Sequence, residues 1–181
     1  MLFCQLFALL TKWMWRYKSE ANSLWKAVID SLHNTKKCWS FIPVNNSLAG
    51  VWKWIVNELD KIKVGEIKLS QNFKGVAGDG RCIRLWLDLW LGSMPLKECY
   101  PNLFKLEKIK KCKVFERYNS ESKSFMGLWE WFCVPSTGIE LSEWDSCIEK
   151  LDSINLYGDK DQWVWIGGKD SDFQSERSKG S

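Results

Sequence analysis

The chain has 181 residues, 45% of them hydrophobic and 27% charged, with a formal net charge of +4. That balance excludes a wholly disordered chain and allows a core that needs no disulfide or metal to hold it. The charge is uneven: residues 1–120 carry 20 Lys and Arg against 10 Asp and Glu, and residues 121–181 carry 6 against 12.

The first part would attract a polyanion and the second would not. Lys outnumbers Arg 21 to 5, which suits loose phosphate contacts better than bidentate reading of bases. Seven cysteines, none in a C-x-x-C pair, read as reduced, intracellular and mostly buried.

Residues 2–18 place Leu2, Phe3, Leu6, Phe7, Leu10, Trp13, Met14 and Tyr17 at helical spacing, with Lys12, Arg16 and Lys18 off that stripe. The apolar start has neither a positive leader nor a small-residue cleavage site, so it reads as helix and not as a signal peptide. No apolar run is long enough to span a bilayer. A second helix follows Ser23, with Leu24, Trp25, Val28, Ile29 and Leu32 on one face. Residues 34–47 read as loop. A third helix begins near Ser47 and carries Leu48, Val51, Trp52, Ile55, Leu59 and Ile62.

After Gly65 the texture changes. Gly78-Asp79-Gly80 between short apolar runs predicts a hairpin of residues 72–77 with 81–86. Residues 85–92 are too apolar for an exposed loop. Lys105, Lys108, Lys110, Lys111 and Lys113 form a basic run. Residues 119–123 are the best candidate linker, and 128–134 read as a short strand. A helix is expected over 142–155, and a closing hairpin over 162–166 and 172–174 around Gly167-Gly168. The reading is an α+β fold: N-terminal helices over 1–64, a hairpin and connector over 65–118, and an acidic α+β segment over 119–181.

No active site assembles. His33 has no partner for a nucleophile triad and reads as a solvent-facing residue at a helix end. The cysteines are too scattered for a zinc set. Gly75–Gly80 lacks the Lys-Ser/Thr of a phosphate loop. Thirteen tryptophans, eight of them in four Trp-x-Trp pairs, mean either a core of large rings or exposed rings that stack on a flat partner. Cations interleave with rings over 12–18, at Lys36-Lys37-Cys38-Trp39 and at Trp52-Lys53-Trp54. Stacking with phosphate neutralisation would use such residues, but a core of rings under a solvated face of lysines is the stronger reading.

Seven segments in order resemble the plant LINE-type (non-LTR) retrotransposon reverse transcriptase polyproteins. They are Ala8-Leu9-Leu10-Thr11-Lys12-Trp13-Met14-Trp15-Arg16-Tyr17, Ser23–Ile29, Gly50–Ile55, Val76-Ala77-Gly78-Asp79-Gly80 with Leu85-Trp86-Leu87-Asp88-Leu89-Trp90-Leu91-Gly92, Tyr100–Phe104, Gly138–Leu141 and Asp161–Trp165. The resemblance covers residues 6 to 175. It implies the thumb and connector that follow the polymerase palm and run up to a zinc-binding segment. The implied parent activity is RNA-directed DNA synthesis with divalent metal, in the nucleus. The paired aspartates of the palm and the downstream Cys/His cluster are absent from this sequence, and Ser171–Ser175 fits the family only loosely. The expectation is therefore a fragment or a decayed copy, holding no cofactor and not catalytic alone. Its partners would be RNA, DNA or their hybrid and the missing palm, with no membrane. The candidate backbone contacts are Lys12, Arg16 and Lys18 first, Lys36 and Lys37 second, and Lys74, Arg81 and Arg84 third. Trp13, Trp15, Gly78, Asp79, Gly80, Trp86, Asp88 and Trp90 are expected to be structural, with Asp88 pairing a backbone donor or a buried Lys. The competing reading is a free-standing tryptophan-rich module that binds a protein or a glycan.

Overall fold

A computed structural model describes residues 2–35, 38–64 and 66–166, without the side chains of 2–7 and 67. Three helices lead: α1 Leu2–Ser19, α2 Leu24–His33 and α3 Val51–Lys61. Two strands of two residues, β1 Lys63–Val64 and β2 Ile67–Lys68, form a small antiparallel ribbon. Then come β3 Phe73–Val76, the short helices α4 Leu96–Cys99 and α5 Pro101–Leu106, the longer α6 Gly138–Asp152, and β4 Gln162–Trp165. The architecture is α+β, as the sequence predicts.

The helical periodicities are used on α1 and α3, with two departures: α3 begins at Val51 and not near Ser47, and Val51 itself faces solvent. Leu10, Met14 and Tyr17 of α1 and Trp52, Ile55, Val56 and Leu59 of α3 are buried in one core, since positions three and four apart share a helix face. On α2 only Trp25 and Ile29 of the apolar stripe pack inward; Leu24, Val28 and Leu32 face solvent.

Residues 83–90 form the centre of the molecule without being a strand. Ile83, Leu85, Trp86, Leu87, Leu89 and Trp90 are all buried. The run is apolar at successive positions because it is covered on every side. A buried irregular segment must still pair its backbone polar groups. Here the partners come from scattered places. Leu85 donates its amide to Cys112 O (2.9 Å), and Gly75 and Lys97 donate theirs to Leu89 O (2.8 Å) and Trp86 O (3.1 Å). The Trp90 indole N–H reaches Leu85 O at 2.9 Å. Beneath Trp86 lies a buried pair, Glu107 with Arg117 (3.0 Å).

The predicted hairpin is corrected. β3 pairs with β4, antiparallel, in the register Phe73 to Trp165 and Val76 to Gln162, and not with residues 81–86. Of the predicted closing hairpin the first arm is a strand, β4, which pairs with β3; its second arm, 172–174, and the turn at Gly167 and Gly168 lie outside the described residues. Residues 128–134 make an isolated bridge, Trp131 with Glu107, in place of a strand. Residues 119–124 form a tight turn closed by Asn119 and Ser124.

α6 starts four residues before its expected beginning. Thr137 caps it, accepting the Glu140 amide, and the Glu140 carboxylate accepts the amides of Ser136 and Thr137 at 3.0 Å each. This is a capping box, and those amides hold the Glu140 carboxyl below its ordinary value. α6 in turn caps α5. Glu143 accepts the amides of Asn102 (3.0 Å) and Leu103 (3.1 Å) at the start of α5, where amide groups lack partners within the helix.

Candidate nucleic-acid interface

Two carboxylates organise the site. The first is Asp161. Its two oxygens accept four backbone amides: Gly78 and Gly80 at 2.8 Å each, Cys82 at 2.7 Å and Ile83 at 3.2 Å. The glycines make this cradle possible. A Cβ on Gly78 would stand 2.3 Å from Asp159 O, and Gly80 has φ +70° with Phe115 N where a Cβ would go. Gly78-Asp79-Gly80 is thus not a hairpin turn but a receptor for a side chain about 80 residues further on.

The second is Asp88, only 1% exposed. It accepts Lys18 Nζ at 2.6 Å, Arg84 Nη2 at 2.6 Å and the Arg84 amide at 2.8 Å. The rest of the Arg84 guanidinium donates to Ser40 O (3.1 Å) and Phe41 O (2.7 Å). Burial would raise the Asp88 carboxyl, but the charges and hydrogen bonds of Arg84 and Lys18 outweigh it and hold it well below the usual range. Burial and the neighbouring Arg84 push Lys18 down.

These contacts revise the expected surface. Lys18 is buried (8% exposed) and Arg84 is locked on Asp88, so neither is an exposed phosphate contact. Trp86 and Trp90 are core, and Asp88 pairs a buried Lys as expected. Lys12 is exposed. Arg16 is half-exposed: it binds Glu20 through two nitrogens (2.8 and 3.2 Å) and lies over the rings of Trp13 and Trp25. Trp13 and Trp15 are half-buried against the core. Lys74 is half-exposed on β3, and Arg81 is exposed, its guanidinium 4.7 Å from the centre of the Phe115 ring. Asp79 accepts the Arg81 amide at 3.0 Å. Lys36 and Lys37 lie outside the described residues.

Three lysines of the basic run fasten the backbone. Lys110 donates to the carbonyls of Phe104 and Lys105 at the end of α5, where the helix dipole favours a cation. Lys111 donates to Thr35 O (2.6 Å) and Lys113 to Cys82 O (3.3 Å).

His33 is corrected too. It is buried, and its Nδ1 accepts the Asn45 amide at 3.2 Å. Burial holds its imidazole below its ordinary value. Cys38, Cys112 and Cys147 are buried, while Cys82 and Cys133 are exposed, and all are free thiols.

The structure assembles a cleft that the sequence did not disclose. The end of α1, the length of α2 and residues 81–84 enclose about 240 Å³ with Lys113. Five cations line it: Lys18, Lys26, Arg81, Arg84 and Lys113. The one carboxylate in its lining, Asp30, is engaged by the Tyr17 hydroxyl and by Lys26 (3.0 Å). Arg81 also lines a second cleft of about 500 Å³ with Phe115, Tyr118 and Tyr157. Lys113 belongs to the basic run and Lys26 to the Ser23–Ile29 segment, and only the fold brings them beside Arg81. Among the described residues, no three His, Cys, Asp or Glu side chains gather as a metal set, and no helix is long and apolar enough to cross a membrane.

Trp52, Trp86, Trp90 and Trp163 are buried, and seven more tryptophans are half-buried against the core. Only Trp39 (42%) and Trp54 (50%) are among the exposed large hydrophobic side chains. Trp129 and Trp131 stack in parallel with Trp144 edge-on to both. Acrylamide should therefore quench a minor fraction of the indole emission, and Trp39→Phe with Trp54→Phe should remove most of that fraction. Strong quenching in the double variant would contradict the packing.

Over 95 residues the chain is 32% identical to an Arabidopsis thaliana protein named "Putative ribonuclease H protein". The match covers 50% of this chain and 14% of that protein, so the chain spans a small part of the relative's length. No family model matches, and no solved structure matches.

Proposed function

We propose that this chain is a segment of a plant LINE-type retroelement polyprotein, from the thumb and connector beside a reverse transcriptase, and that it holds nucleic acid by its backbone without catalysing a reaction alone. The observation that carries this reading is the similarity to the Arabidopsis protein named for ribonuclease H. The ordered motifs agree with it. So do the net +10 of residues 1–120 and a cleft lined by five cations. Packing of most indoles into the core weakens the alternative of a tryptophan-rich recognition platform.

Two measurements test it. DNA flanking the reading frame should encode a paired-aspartate polymerase motif upstream and a Cys/His cluster downstream, intact or decayed. Intact flanks of unrelated content would remove the retroelement assignment. The chain should also bind oligonucleotides with little sequence preference and with an affinity that falls linearly in log salt. Binding indifferent to salt would remove the backbone-contact reading.

A further inference from the structure

The geometry points to a single-strand binding site at Arg81, where one phosphate enters the basic cleft and the adjoining base lies in the aromatic cleft. The inference rests on the nucleic-acid reading above and gives it a place and a strand type.

The charge of the basic cleft is only partly compensated: Arg81 has Asp79 at 4.0 Å, at the limit of an ion pair. Lys18 and Arg84 share one carboxylate, Asp88, and Lys26 has Asp30. Lys113 has no carboxylate within ion-pair distance among the described residues; its ammonium donates to the Cys82 carbonyl. Burial holds Lys113 below its ordinary value; attraction by Asp88 opposes this, and repulsion by Arg84 and Lys26 adds to it. An anion in the cleft would relieve that repulsion. Arg81, with its side chain 67% exposed, stands at the junction of the two clefts.

The second cleft supplies what a phosphate site alone lacks. Its 500 Å³ is within the range of small-ligand sites, and it is lined by rings. Tyr157 is 67% exposed at its edge, and Phe115 lies under the Arg81 guanidinium. Bases stack on such rings without regard to sequence. The choice of a single strand follows from recession. Lys113 is half-buried within the cleft, which a flexible strand can enter and the rigid, broad surface of a duplex cannot.

The test uses the full chain with fluorescein-labelled dT12 in anisotropy titrations from 50 to 300 mM salt, beside a duplex of equal length. Circular dichroism checks that each variant is folded. Arg81→Ala with Lys113→Gln should weaken dT12 binding about tenfold and make the slope of log K on log salt less steep by about 0.7, the contribution of one single-strand phosphate. Tyr157→Ala should weaken binding by about tenfold with the slope unchanged, as loss of a stacked base predicts. Lys12→Ala with Lys74→Ala should leave dT12 binding within about twofold. If dT12 binds and the cleft variants bind equally well while Lys12 and Lys74 carry the slope, the cleft is not the site, and the backbone-binding reading stands. Tighter binding to the duplex would overturn the single-strand assignment. If the wild-type chain binds neither oligonucleotide at 50 mM salt, the nucleic-acid reading falls and the cleft with it.

Discussion

Asp88→Ala should cost about 4 kcal/mol in equilibrium urea unfolding, because removing one partner of a buried ion pair leaves a charge without its counterion. Here it leaves two, Lys18 and Arg84, both tied to that carboxylate at 2.6 Å. Lys18 also lies over the Phe41 and Trp163 rings, at 4.0 and 4.8 Å, and its side chain is only 6% exposed. Lys18→Met alone should cost far less, since Arg84 keeps its carboxylate and the new side chain is apolar and of similar length. A cost for Asp88→Ala below about 1 kcal/mol would mean that water reaches the cluster. The same group sets a pH dependence. The Asp88 carboxyl is held below its unfolded value near 4. Its stabilisation is therefore present above about pH 4 and is lost as the pH falls from there toward its folded value. The wild type should lose stability through this acid range more steeply than Asp88→Asn. Parallel pH profiles would remove Asp88 as the cause.

The second large effect is expected at Asp161. Four amides converge on it, and its removal leaves several of them unpaired in a tight loop, at about 1–3 kcal/mol for a buried group left without its partner. Asp161→Ala should therefore cost about 3 kcal/mol. Asp161→Asn keeps one acceptor oxygen and should cost about half as much. The loss should be local as well as global. β4 is joined to the loop through Asp161 and to β3 through its ladder, so amide exchange in both strands should quicken in Asp161→Asn before exchange in α3 does. Equal protection of β4 in the variant would show that the ladder holds the strand without the loop.

These two residues mark where the sequence stops being legible. The helices over 2–19, 24–33 and 51–61 follow from the spacing of apolar residues, which is local information. So is the capping box Thr137-Gly138-Ile139-Glu140, a signal present in the sequence that would have placed the start of α6 correctly. Gly78-Asp79-Gly80 reads as a turn, but a turn does not reveal its partner. A neighbouring strand is the common choice, and here the partner is 80 residues away. Lys18 reads as exposed because it lies off the apolar stripe of α1; only the fold brings Asp88 to it. His33 failed for the same reason, since the amide it accepts belongs to Asn45 across a loop. The basic cleft combines α1, α2, residues 81–84 and Lys113, four places that no periodicity joins.

The pairing of β3 with β4 also fixes an order of events in synthesis. Chains emerge from the ribosome at about 5–20 residues per second with the N-terminal part free to fold first. Here the loop at 78–83 cannot acquire its carboxylate, nor β3 its neighbour, until residue 165 has emerged. Until then the edge of β3 is an unpaired strand beside buried-type side chains such as Phe73, open to pairing with another chain. A nascent or truncated product that stops before Asp161 would keep that edge exposed, and would be a substrate for chaperones and proteases.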